Sequence, residues 1–103
     1  MEVLIKFNFD EKEIYISEDK VCVKKDDIKF DVDCTKHDRI STLVTLFAFK
    51  REWTNCNEDK DDYQIVFSNN NEKEHFCFSL GEEPSNFMLF NGAIVKLIGD
   101  IYE

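Results

Sequence analysis

Hydrophobic and polar residues alternate along most of the first third of the chain. Val3, Ile5, Phe7 and Phe9 are separated by Leu4, Lys6 and Asn8, and Asp10-Glu11-Lys12 then turns the chain. A period of two with one apolar face is the signature of a half-buried strand. Ile14-Tyr15-Ile16 and Val21-Cys22-Val23 follow as short strands. Ser17-Glu18-Asp19-Lys20 lies between them as a polar turn, and the polar run at 24–27 follows the second. Ile28, Phe30, Val32 and Cys34 alternate with Lys29, Asp31 and Asp33. Four short strands joined by tight polar turns predict an antiparallel meander.

Residues 35–53 fit two periods. Ile40, Leu43, Val44 and Phe47 suit a helix, whereas Leu43, Thr45, Phe47 and Phe49 suit a strand. Their β-branched and aromatic content tips the reading to a long strand over 39–52. A polar, acidic loop at 54–62 comes next. Tyr63, Ile65 and Phe67 alternate with Gln64, Val66 and Ser68, and Asn69-Asn70-Asn71 turns the chain because Asn tolerates positive φ. Phe76, Phe78 and Leu80 then make a last strand.

The closing stretch, 83–102, reads as a helix. Phe87, Phe90, Ile94, Ile98 and Ile101 recur at spacings of three and four with Leu97 beside them. Pro84 presets a helical φ, Ser85 or Asn86 is placed to cap free N–H groups, and Glu82 and Glu83 precede the positive end of the helix dipole. Met88, Val95 and Tyr102 lie seven apart on a second face, with Gly92 and Gly99 among them. Two glycines in a helix, each costing about 1 kcal/mol against alanine, predict either close packing, an early end at Gly99, or a face kept for a partner or a second copy.

Seven strands and one C-terminal helix give a single α+β domain over 1–103: two antiparallel meanders in roughly orthogonal sheets, with the helix packed on them. In order of elements this resembles the pleckstrin-homology-like superfold. Members of that superfold that bind phosphoinositides use a basic pocket in the first hairpins. In this chain Lys24 and Lys25 sit beside Asp26 and Asp27, which weakens such a pocket.

Composition supports a folded protein, with 43% hydrophobic residues, ten Phe, three Gly and one Pro among 103 residues. No apolar run approaches the ~18 residues of a membrane span. No basic stretch followed by an apolar run marks a secretory signal, so the expected compartment is the cytoplasm. The four cysteines, Cys22, Cys34, Cys56 and Cys77, form no C-x-x-C and are expected as reduced, mostly buried thiols.

The net charge is −9 and unevenly placed. Residues 1–51 hold 11 acidic and 10 basic side chains, whereas residues 52–103 hold 11 and 3. The negative second half argues against direct nucleic-acid binding, which needs Lys and Arg on phosphates, and for a basic partner surface.

Candidate chemistry is thin. Asn55-x-Asn57-x-Asp59-x-Asp61 lacks the Gly and Glu of an EF-hand, with Lys60 and Val66 in their places. Cys34, His37, His75 and Cys77 supply zinc-type ligands only if the two pairs meet. Asp31 and Asp33 share one side of a strand, where alternation alone explains them. No nucleophilic constellation and no Gly-rich phosphate loop is present, so the expectation is a non-enzymatic protein without a cofactor. Trp53, the single tryptophan, is either a rim residue of the core or an interface anchor.

The expected binding surface comprises Trp53, Glu58, Asp59, Asp61, Asp62, Glu82 and Glu83. Met88, Gly92, Val95 and Tyr102 form a second face that would also serve a homodimer through the C-terminal helix. In size and charge the chain resembles the small acidic counter-defence proteins of phages and mobile elements, anti-CRISPR proteins among them. That likeness implies an inhibitor filling a basic, nucleic-acid-binding groove of a partner protein. The alternatives are a small-ligand or lipid-headgroup domain and a zinc-stabilised protein.

Overall fold

A computed structural model describes residues 1–54 and 62–99. The chain runs through strands β1 (Glu2–Phe7), β2 (Lys12–Ser17), β3 (Val21–Lys25) and β4 (Ile28–Val32), then helix α1 (Lys36–Phe49). Strands β5 (Tyr63–Asn69) and β6 (Glu72–Phe78) and helix α2 (Phe87–Ile98) complete it. The six strands form one antiparallel sheet in the order β4-β3-β2-β1-β5-β6. The first meander and the last hairpin are therefore as the alternation predicts, and they join through β1, which pairs with β2 on one side and β5 on the other.

The turns are set by residues that accept positive φ. Asp26 and Asp27, at φ 50° and 69°, make the two-residue turn between β3 and β4, and Asn70, at 57°, turns β5 into β6. Asp and Asn tolerate this region because their short polar side chains bond locally. Glu11 also sits there, at 47°, where a 3-10 turn over Asn8–Asp10 ends. That turn removes Phe9 from the strand it was expected to extend and leaves it half exposed.

One face of the sheet carries the core. Val3, Ile5, Ile14, Ile16 and Ile65 are fully buried on it, with Val21, Val23, Phe67 and Phe76 almost so. Their cross-strand partners are one another: Val3 meets Ile16 and Phe67, and Ile5 meets Ile14 and Ile65. Helix α2 lays Phe87, Phe90, Ile94 and Ile98 on the core, the stripe the sequence predicts. The expected Ile101 and Tyr102 lie outside the described residues. Burying one such side chain stabilises by about 1.5–3 kcal/mol.

The expected strand at 39–52 is instead α1. Thr35 caps it, its Oγ1 accepting from the Asp38 N–H at 3.1 Å. Leu43 and Leu46 face the core at full burial, while Val44 is exposed and the Thr45 hydroxyl donates to the Ser41 carbonyl at 3.0 Å. Of the β-branched residues that suggested a strand, Val44 and Thr45 are exposed and Ile40 and Thr42 only half-buried, so none of them carries the packing. The three-residue spacing of the buried leucines decides the conformation. Among the described residues there are thus six strands in one sheet, with a helix where the seventh was expected. The two orthogonal sheets of the pleckstrin-homology-like order are not reproduced.

Candidate protein-interaction surface

Trp53 follows a 3-10 turn, Lys50–Glu52, at the end of α1. It is only 8% exposed, so of its two readings the core position is the one occupied. Its ring lies 4.9–5.9 Å from those of Phe90, Phe76, Phe78 and Phe67, mostly edge to face. Aromatic pairs in such geometry add about 0.5–1.5 kcal/mol each beyond buried area. Its indole N–H donates to Asn86 Oδ1 at 2.7 Å. The same Asn86 side chain donates from Nδ2 to the Phe49 carbonyl at 3.1 Å. Asn86 therefore does not cap α2 with its side chain, as the sequence suggested; it ties the helix start to the end of α1.

Beside this cluster the sheet ends in a patch organised by Asp62 and Tyr63. Asp62 accepts the Asn8 N–H on its carbonyl at 3.0 Å and the Leu80 N–H on Oδ2 at 2.8 Å. Tyr63 is buried between Phe9 and Phe87, with centroids at 5.1 and 4.9 Å. Its hydroxyl donates to Glu83 Oε2 at 3.3 Å. Burial pushes the Tyr63 phenol above its ordinary value, and the Glu83 carboxylate raises it further. A shallow hollow of about 350 Å³ opens here between Tyr63, Glu83, Ser85, Met88 and Asn91.

Around it three apolar side chains stand in solvent: Phe9 at 49% exposure, Leu80 at 52% and Met88 at 84%. Asp62, Glu83 and Met88 are thus brought to one end of the molecule, and Glu82 is exposed next to them. Glu58, Asp59 and Asp61 lie outside the described residues. Sequence reasoning missed Phe9 and Leu80, which both continue an apolar alternation and so read as core.

Met88, Gly92 and Val95 are exposed on α2. A Cβ built on Gly92 meets nothing within 4 Å, so this glycine serves no close packing within the described residues. Gly99 has a different role: at φ 72° it ends the helix.

The zinc-type pairs do not meet. Cys34 follows β4 and His75 and Cys77 lie on β6, the two opposite edges of the sheet, five strand spacings or about 24 Å apart. No cluster of three or more metal-type ligands occurs among the described residues. Cys77 is disulfide-bonded, whereas Cys22 and Cys34 are free thiols. The expectation of reduced thiols throughout is corrected for Cys77, because spacing along the chain does not reveal which sulfurs meet in space.

The sheet face opposite the helices holds a second hollow of about 320 Å³. Leu4, Tyr15 and Cys22 line it together with Lys20, Lys24, Lys29 and the carboxylate of Glu13. No helix among the described residues is long and apolar enough to cross a membrane. Compared with known proteins, the chain significantly matches no family model, no curated protein and no solved structure.

Proposed function

We propose that the protein is a non-enzymatic interaction module whose acidic end docks on a basic surface of a partner protein. The most concrete form is a small inhibitor that fills a nucleic-acid-binding groove, as phage and mobile-element anti-defence proteins of the anti-CRISPR type do. One observation carries this reading: at the end where Asp62, Glu82 and Glu83 gather, Phe9, Leu80 and Met88 are exposed among them. Charge alone steers and solubilises. Charge around an apolar centre is what a protein interface needs for lasting contact.

The test is affinity capture from host cells with the wild type and with a Glu82→Gln, Glu83→Gln, Met88→Ser variant. Gln at 83 keeps an acceptor for the Tyr63 hydroxyl, so the fold is spared. The expected result is capture of a basic, nucleic-acid-binding protein, lost with the variant and weakened as salt shortens the Debye length below about 8 Å. Equal capture by both proteins refutes the assignment of this surface.

A second reading has its own observation. Three lysines around Tyr15 on the open sheet face outnumber the single carboxylate there, Glu13, and would favour a small anionic ligand. Inorganic phosphate would then raise the melting temperature of the wild type but not of a Lys20→Ala, Lys24→Ala variant.

A further inference from the structure

The two edges of the sheet are unlike. On β6 the outermost strand begins Glu72, Lys73, Glu74, His75, and such charges discourage pairing with another strand. On β4 the sequence is Ile28-Lys29-Phe30-Asp31-Val32. β4 pairs with β3 alone, and Ile28 is 67% exposed and Phe30 37% exposed on the helix side of the sheet. Nothing among the described residues pairs with its outer edge.

Backbone geometry fixes which groups face out. The two-residue turn at Asp26-Asp27 makes Lys25 and Ile28 the hydrogen-bonded pair that closes the hairpin. Alternation then turns the N–H and C=O of Ile28, Phe30 and Val32 towards β3, and those of Lys29 and Asp31 outward. An antiparallel strand centred on Phe30 would bond with those outward groups.

The side chains are complementary to themselves in that register. Turned about a twofold axis through Phe30, the strand sets Lys29 opposite Asp31 of its copy and Asp31 opposite the copy's Lys29. Phe30 meets Phe30, and Ile28 meets Val32. Two opposite-charge pairs fall on the open face and three apolar pairs on the helix face, each the kind of cross-strand pair that stabilises a sheet. β4 also lies in the half of the chain whose charges nearly balance, so two copies meet there with little of the repulsion their acidic halves would bring.

We propose that β4 is a homodimerisation edge: two copies pair antiparallel through it about Phe30, forming one continuous twelve-stranded sheet. The acidic ends described above then stand at the distal parts of the dimer, free for two partner molecules. This surface differs from the α2 face expected for a homodimer from sequence.

Sedimentation equilibrium over a concentration series tests it, on the wild type, Lys29→Asp, Asp31→Lys, and the protein carrying both changes. Both side chains are exposed, and a far-ultraviolet spectrum with Trp53 fluorescence verifies that each variant is folded. The expected result is a doubled mass for the wild type and a dissociation constant raised about tenfold or more by either single change, which sets like charges opposite each other. Both changes together exchange the partners and restore the dimer. A wild type that stays single into the millimolar range overturns the proposal. So does a dimer indifferent to the single changes, or a loss that the combined change does not reverse.

Discussion

The indole of Trp53 and the amide of Asn86 form a short hydrogen bond, 2.7 Å, inside an aromatic cluster. Asn86→Ala leaves that buried N–H unpaired, and the expected cost is about 1–3 kcal/mol. Asn86→Asp keeps the acceptor for the indole but sets a carboxylate oxygen against the Phe49 carbonyl and Glu52, so it should be no milder. Denaturant unfolding followed by the fluorescence of Trp53, the sole tryptophan, measures both. Three other side chains make stability depend on alkaline pH, with two signs: burial raises the Tyr15 and Tyr63 phenols, and it lowers Lys12. The Tyr63 phenol is raised above its ordinary 10.0, so it contributes stability that is full below 10.0 and lost as pH rises through its folded value. Lys12 is lowered from 10.5, chiefly by burial, with neighbouring Asp10 opposing the shift. The unfolded chain then binds more protons, so stability rises with pH between the lowered value and 10.5. Unfolding midpoints from about pH 8 to about pH 11 should fall less steeply in Tyr63→Phe, where Tyr15 still contributes, and lose their rise in Lys12→Met.

Elements built on strict alternation were legible from the sequence. The six strands and the α2 stripe from Phe87 to Ile98 stand where spacing puts them, because a period of two or of 3.6 reports which residues share a face, although Phe9 leaves β1 and Ile28 and Phe30 on β4 stay exposed. α1 was not legible: Leu43 and Phe47 satisfy both periods, and only the packing of Leu46, at full burial, separates them. The turns give a direct test of backbone conformation. Asp27 holds φ 69° without being glycine, so Asp27→Gly should raise stability by about 0.5–1 kcal/mol. Gly92 is the converse. It lies within α2 with open space where a side chain would go, so Gly92→Ala should add about 1 kcal/mol. Thermal denaturation of each variant checks these values.

For the whole molecule, the charge is legible in the sequence and its placement only in part. The acidic bias of residues 52–103 is a matter of counting, but spacing does not show that Asp62 and Glu83 converge on Tyr63, or that Phe9 and Leu80 leave the core. Those facts depend on where a 3-10 turn ends and on pairings across the sheet. A net charge of −9 also implies self-repulsion in the compact state. The melting temperature should therefore rise by about 2–5 °C between about 0.02 M and 0.5 M salt. A flat or falling curve would mean that local ion pairs such as Lys50–Glu74, at 2.6 Å, outweigh the overall repulsion.

The place of β1 in the sheet bears on how the protein is made. Its partner β2 follows immediately, but its other partner, β5, is not synthesised until Tyr63 and the residues after it. At the usual 5–20 residues per second, the ribosome takes on the order of 3–10 s to span that gap. Through that interval the four-stranded meander can form, yet β1 shows an unpaired flank bearing Val3, Ile5 and Phe7, the strand that later lies inside the sheet. The nascent chain is therefore most open to misassembly before translation reaches β5, the strand that closes this flank.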